Sequence, residues 1–122
     1  MEFPLFTKEL KEKWITALES GKYTACANVL TDGKNHCCLG VLLDIIPGIE
    51  LSINNNNGVK FKGEIIKDPI GILTNPTPFS LDQTKINGSN WKLANINDNH
   101  VREGNRDYST VIPIIKTIPT VD

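Results

Sequence analysis

This 122-residue sequence most plainly lacks an excess of charge of one sign: 13 Lys and Arg stand against 14 Asp and Glu, a formal net charge of -1. A protein that grips a phosphate backbone without sequence preference carries a basic surplus, so generic nucleic-acid binding is excluded. Long hydrophobic runs are missing too. None approaches the ~18 apolar residues of a membrane span. Met1-Glu2-Phe3-Pro4 opens with an acid and a proline where a secretory signal would be basic. The expectation is a cytoplasmic protein with no membrane partner. Cysteine is scarce as well. Cys26, Cys37 and Cys38 make an odd count with two residues adjacent, which gives no disulfide framework and suits a reducing compartment. No Cys pair has the two-to-four-residue spacing of a zinc site, and no Gly-x-x-x-x-Gly-Lys loop is present to cradle a triphosphate. Neither a metal nor a cofactor is expected.

What remains is ordinary globular material, 39% hydrophobic and 22% charged, in a chain long enough for one domain with one core. Residues 7–20 read as a helix. Thr7 can cap it, Glu9 and Glu12 favour its start, and Gly21 can end it. Leu10, Trp14, Ala17 and Leu18 recur at helical spacing, so one face is buried. Residues 22–30 read as extended or irregular, and Asp32-Gly33 marks a turn. A second helix starts near His36 or Cys37 and stops at Pro47-Gly48. Its Leu39, Leu42, Leu43 and Ile46 stripe is widened by Val41 and Ile45, which places it at the centre of the domain. Gly40 inside it implies close approach by another backbone.

Residues 50–53 and 59–66 flank Asn54-Asn55-Asn56-Asn57-Gly58, a hairpin signal. Dense Pro and Gly punctuation makes residues 68–88 a long loop. Ser89 or Asn90 can cap a short helix over 91–97, and residues 98–106 read as a polar loop. A last helix opens at Asp107 or Ser109 and is kept short or kinked by Pro113. The predicted fold class is α+β: a single small domain over residues 1–122, with two to three helices packed on a small antiparallel sheet or hairpin.

Three motifs occur in order: Lys13-Trp14-Ile15-Thr16-Ala17-Leu18-Glu19-Ser20-Gly21-Lys22-Tyr23, Cys37-Cys38-Leu39-Gly40-Val41-Leu42, and Leu93-Ala94-Asn95-Ile96-Asn97-Asp98. Together they resemble a family of small tailed-bacteriophage and prophage proteins. In that family a tryptophan-centred helix ends in Ser-Gly-x-Tyr, a Cys-Cys-Leu-Gly-Val-Leu helix follows, and a Leu-x-x-Leu-Asn-Asp motif precedes a terminal helix. Here Ile96 replaces the second leucine of the last motif, and residues 49–90 are unassigned. The resemblance implies a phage origin and a compact mixed fold, and it brings no established enzymatic activity.

The candidate sites follow from residue chemistry. Cys37 or Cys38 at a helix start could ionise, with His100 as base and Asn97 or Asp98 orienting it, which would make a cysteine hydrolase. The simpler reading leaves both thiols in the core. Asn97 and Asp98 can cap the helix before them. Alternatively they join Arg102 and Arg106 on one polar loop, where guanidiniums hold a phosphate. Lys34 leads into the backbone N–H groups of residues 36–39, a candidate anion seat beside His36, and Tyr23 can stack on a base. The favoured expectation is a non-enzymatic phage or prophage accessory protein. It would sequester a small nucleotide-derived signalling molecule from host defence through Tyr23, Lys34, His36, Asn97, Asp98, Arg102 and Arg106. Tight capture favours burial at a subunit interface, hence a homo-oligomer in the cytoplasm of an infected or lysogenic host. A protein-binding inhibitor of a host enzyme is the alternative.

Overall fold

Thr7 begins the first helix as its composition predicts: the Thr7 hydroxyl accepts from the Leu10 N–H at 3.2 Å. The computed structural model describes residues 5–27, 29–51, 59–66, 85–86, 89–90, 93–118 and 120. Helix α1, Lys8–Glu19, buries Trp14 and Leu18 and ends at Ser20, with Gly21 at φ +80° beyond it. Phe6 meets Trp14 edge to face at 6.1 Å. The Trp14 indole Nε1 donates to the Cys38 carbonyl at 2.8 Å, so the polar end of a fully buried ring is satisfied where α1 crosses the second helix.

That helix, α2, is Cys38–Asp44, and its first six residues are all buried. It is shorter than the sequence suggests. Ile45 already caps it, and Gly48 at φ +88° turns the chain into the sheet. Burying each leucine-sized side chain contributes about 1.5–3 kcal/mol, which is why an apolar seven-residue helix holds as the centre of the molecule. The close approach at Gly40 is present: a Cβ there would lie 2.1 Å from the Leu30 carbonyl oxygen.

Strands β1 (Ile49–Leu51), β2 (Val59–Phe61) and β3 (Glu64–Ile66) form an antiparallel sheet in that order. The register pairs Ile49 with Phe61 and Phe61 with Glu64. Val59, Phe61 and Ile66 face the core, while Glu50, Lys60 and Ile65 lie across the outer face. The continuous run read over 59–66 is corrected. Lys62 at φ +50° and Gly63 at φ +85° make a two-residue reversal whose twist suits a hairpin. The Asn54–Asn57 turn and most of the 68–88 loop lie outside the described residues.

A second pair, β4 (Lys85–Ile86) and β5 (Ser89–Asn90), is antiparallel. Ser89 and Asn90 are therefore in a strand instead of capping a helix. Helix α3 is described over Leu93–Arg102 and extends five residues past the expected end. Helix α4, Ile112–Ile115, is a single turn with Pro113 in its first positions. Lys11 on α1 donates from Nζ to the carbonyls of Lys116 (2.8 Å) and Ile118 (2.7 Å), satisfying acceptors just past this helix. Residues from α1, α2, the sheet, α3 and α4 share one hydrophobic cluster, so the described residues form a small α+β domain with four helices. No helix among them is long and apolar enough to cross a membrane.

Candidate functional site

Among the described residues, the bonds of the Cys37-Cys38 segment are structural. Cys37 occupies the N-cap of α2, and its Sγ accepts from the Gly40 N–H at 3.4 Å. Burial pushes the Cys37 thiol up to about 12 and raises Cys38 well above its ordinary value; Cys26 is raised by burial and then by Asp32. Thiols held protonated and away from solvent are poor nucleophiles. The anion seat expected over residues 36–39 is also engaged. The N–H of His36 donates to Thr24 O, that of Cys37 to Leu30 O, and that of Cys38 to Asn97 Oδ1 at 3.2 Å.

His100 does not serve the thiols. Its Nε2 lies 2.6 Å from Asp107 Oδ1, and Nδ1 is 3.3 Å from Asn105 Nδ2, which makes Nδ1 the acceptor and Nε2 the proton-bearing nitrogen. Ser109 Oγ stands 3.3 Å from the same Nε2 and donates to the same Asp107 oxygen at 2.8 Å. A catalytic relay needs carboxylate and hydroxyl on opposite ring nitrogens. Here both share one, so the Ser-His-Asp coincidence is a turn lock. The His100 hydrogen bond, followed by those from Ser109, lowers Asp107 to about 2.

The polar loop read over 98–106 is corrected, because Asp98 and Arg102 lie on α3 together with Asn97. Asn97 is 2% exposed and is a long-range clamp instead of a local cap. It accepts from Cys38 N and donates from Nδ2 to Cys26 O (2.9 Å) and Asp98 Oδ1 (3.2 Å). Arg102 Nη1 donates to Asn99 Oδ1. Arg106 follows the reversal at Gly104; its Nη1 donates to Ala25 O at 3.1 Å, and its own carbonyl accepts from Ala25 N. The two guanidiniums thus hold separate partners, and nothing in these bonds brings them to one anion. Lys34 is exposed on the Asp32 turn. Tyr23 and His36 do come together, edge to face at 5.1 Å. Tyr108 Oη donates to the His36 carbonyl, while buried His36 Nδ1 has no partner among the described residues. Tyr23 Oη donates to Asp44 Oδ2 at 2.6 Å; burial, then this bond, raises Tyr23 to about 12.

Of the predicted set, Tyr23 borders a groove on the surface of α1. That groove, about 470 Å³ and open to solvent, runs along the outer face of α1. Ala17, Tyr23 and Ile45 form its half-buried floor, with Lys13, Ser20, Lys22, Glu9 and Glu12 around it. Sequence reading passed over Lys13, Lys22 and Ile45. The available signal was the spacing of Lys13, Ala17 and Ser20 along one outward helical line. A second groove of about 390 Å³ lies between α1 and residues 117–120, where Lys11 is already engaged by carbonyls. Among the described residues no cluster of three or more His, Cys, Asp or Glu could hold a metal ion.

The profile of a domain of unknown function, DUF8296, matches residues 6–118. The chain belongs to this family. The DUF8296 match spans all four helices and the three-stranded sheet, from buried Phe6 to buried Ile118. No curated protein and no solved structure matches the chain.

Proposed function

We propose that this DUF8296 protein is a non-enzymatic binding protein of a phage or prophage. It holds a small nucleotide-derived molecule and withholds it from a host defence pathway in the cytoplasm of the infected cell. The observation that carries this reading is the groove beside Tyr23, whose volume of about 470 Å³ is in the range of small-molecule sites. The half-buried Tyr23 ring and Ile45 offer a surface for a base, and Lys13 and Lys22 offer ammonium groups for phosphate. The site thus shifts from the arginines to α1. Because the groove is open, tight capture requires a second copy to cover it, which keeps the homo-oligomer within the proposal. Sealed thiols support binding over covalent chemistry.

The test is thermal unfolding against cyclic dinucleotides and ADP-ribose derivatives. A ligand at one hundred times its Kd stabilises by about 2.7 kcal/mol and raises Tm by several degrees. Lys22→Glu, at an exposed position, should remove that rise, whereas Arg102→Ala should leave it intact. Loss of the rise with Arg102→Ala and not with Lys22→Glu would return the site to α3.

One observation favours a second reading, an inhibitor that occludes a host enzyme. Ile65 is 73% exposed on the outer face of β3, beside Lys60 on β2. Co-elution with a host enzyme that is abolished by Ile65→Lys would support this reading.

A further inference from the structure

The charges around the Tyr23 groove limit what it can hold. Glu9 and Glu12 stand on its α1 wall, and Asp44 is bonded to the Tyr23 hydroxyl at 2.6 Å. Against these three carboxylates stand two ammonium groups, Lys13 and Lys22. The charged lining residues alone are balanced, and with Asp44 behind Tyr23 these five groups sum to one negative charge. One of the two cations is already paired, because Lys13 Nζ lies 3.1 Å from Glu9 Oε1. A ligand with one or two phosphate charges can be met by Lys22 and by Lys13 drawn from Glu9. Each charge beyond two meets Glu9 or Glu12 without a cation to balance it.

Resting on the binding reading above, we infer that this groove selects nucleotides with a single charge per phosphodiester over nucleoside triphosphates, and that Glu9 and Glu12 set the selection. The class is that of cyclic mononucleotides and cyclic dinucleotides, whose phosphates are diesters and carry one negative charge each. The apolar floor of Ala17, Tyr23 and Ile45 receives the base, which is common to both classes, so discrimination falls to charge. Glu9 and Glu12 occupy successive turns of α1 and are exposed, and neither contributes to the core. Their replacement by glutamine removes charge with little change of shape.

The experiment compares cyclic AMP, a cyclic dinucleotide, ATP and GTP by thermal shift and by titration at low ionic strength, in EDTA so that the triphosphates are not masked by a divalent cation. The intact protein should bind the diesters more tightly than the triphosphates. The double variant Glu9→Gln, Glu12→Gln should narrow that ratio of Kd values by roughly fivefold, the size expected for two screened charges acting across a solvent-filled groove. The narrowing should itself fade as salt is added. Triphosphates bound as tightly as diesters by the intact protein would overturn the inference while leaving the binding reading in place. An unchanged ratio in the double variant would also overturn it. No shift with any of the four nucleotides would remove the nucleotide reading, and this inference with it.

Discussion

Asn97 ties three separate parts of the chain together through one buried side chain. Its amide joins α3 to the first N–H of α2 and to the carbonyl of Cys26, positions 59 and 71 residues away. Asn97→Ala leaves a buried donor and a buried acceptor without partners. The expected loss is about 2–3 kcal/mol, read as a lower urea midpoint with unchanged m. Gly40 gives a second residue-scale prediction. Alanine normally gains about 1 kcal/mol over glycine inside a helix. Here its Cβ would meet the Leu30 carbonyl at 2.1 Å, and that oxygen belongs to backbone. Gly40→Ala should therefore destabilise by about 2 kcal/mol or more, in the range of overpacked sites. The requirement for a close approach at Gly40 was legible from its place in an apolar helix. The partner at Leu30 was not. Nor was the role of Asn97, because one sequence read alone records which residues are polar and not which distant backbone groups need them.

At the scale of elements, the turn after α3 is sensitive to acid. Asp107 is held near 2, first by His100 and then by Ser109, and Asp32 is held near 2 by the Asn35 and Lys34 N–H groups and the Asn35 amide. A carboxylate depressed in the folded state stabilises it above its unfolded pKa of about 3.9, and that contribution disappears as pH falls toward 2. Stability should thus drop between pH 4 and 2. Asp107→Asn should flatten part of that slope, which equilibrium unfolding at a series of pH values will show. The elements themselves divide by how local their signals are. Helix α1 was legible throughout, since Thr7, the Leu10–Trp14–Leu18 spacing and Gly21 each act within a turn of the chain. The hairpin of β1 and β2 was legible from alternation around an Asn-Gly. The turn inside 59–66 was missed because Lys62, not glycine or asparagine, takes the first positive φ. Helix α3 was cut short because Asn97, Asp98 and Asn99 read as turn formers, whereas tertiary bonds from Asn97 stabilise helical backbone through them. The candidate site was the least legible part. Its groove arises from α1 meeting residues 22–23 and Ile45, a juxtaposition with no local signature.

The molecule as a whole is organised around α2, with the three thiols close to it in the core. Cys26, Cys37 and Cys38 are 5%, 4% and 0% exposed. A thiol reagent such as iodoacetamide should leave all three unmodified in the native protein at neutral pH and modify them together on denaturation. Fast modification of Cys37 or Cys38 alone would show that the core opens locally and would revive covalent chemistry. The Lys11 side chain has a consequence for the order of events during synthesis. Its acceptors are the carbonyls of Lys116 and Ile118, 105 and 107 positions downstream. On the ribosome α1 can form and collapse onto α2 early, but this ammonium waits in water until residue 118 has left the exit tunnel. Residues 116–118 are therefore what latches α1 in place, and an arrested nascent chain ending before residue 116 should remain open to protease at α1.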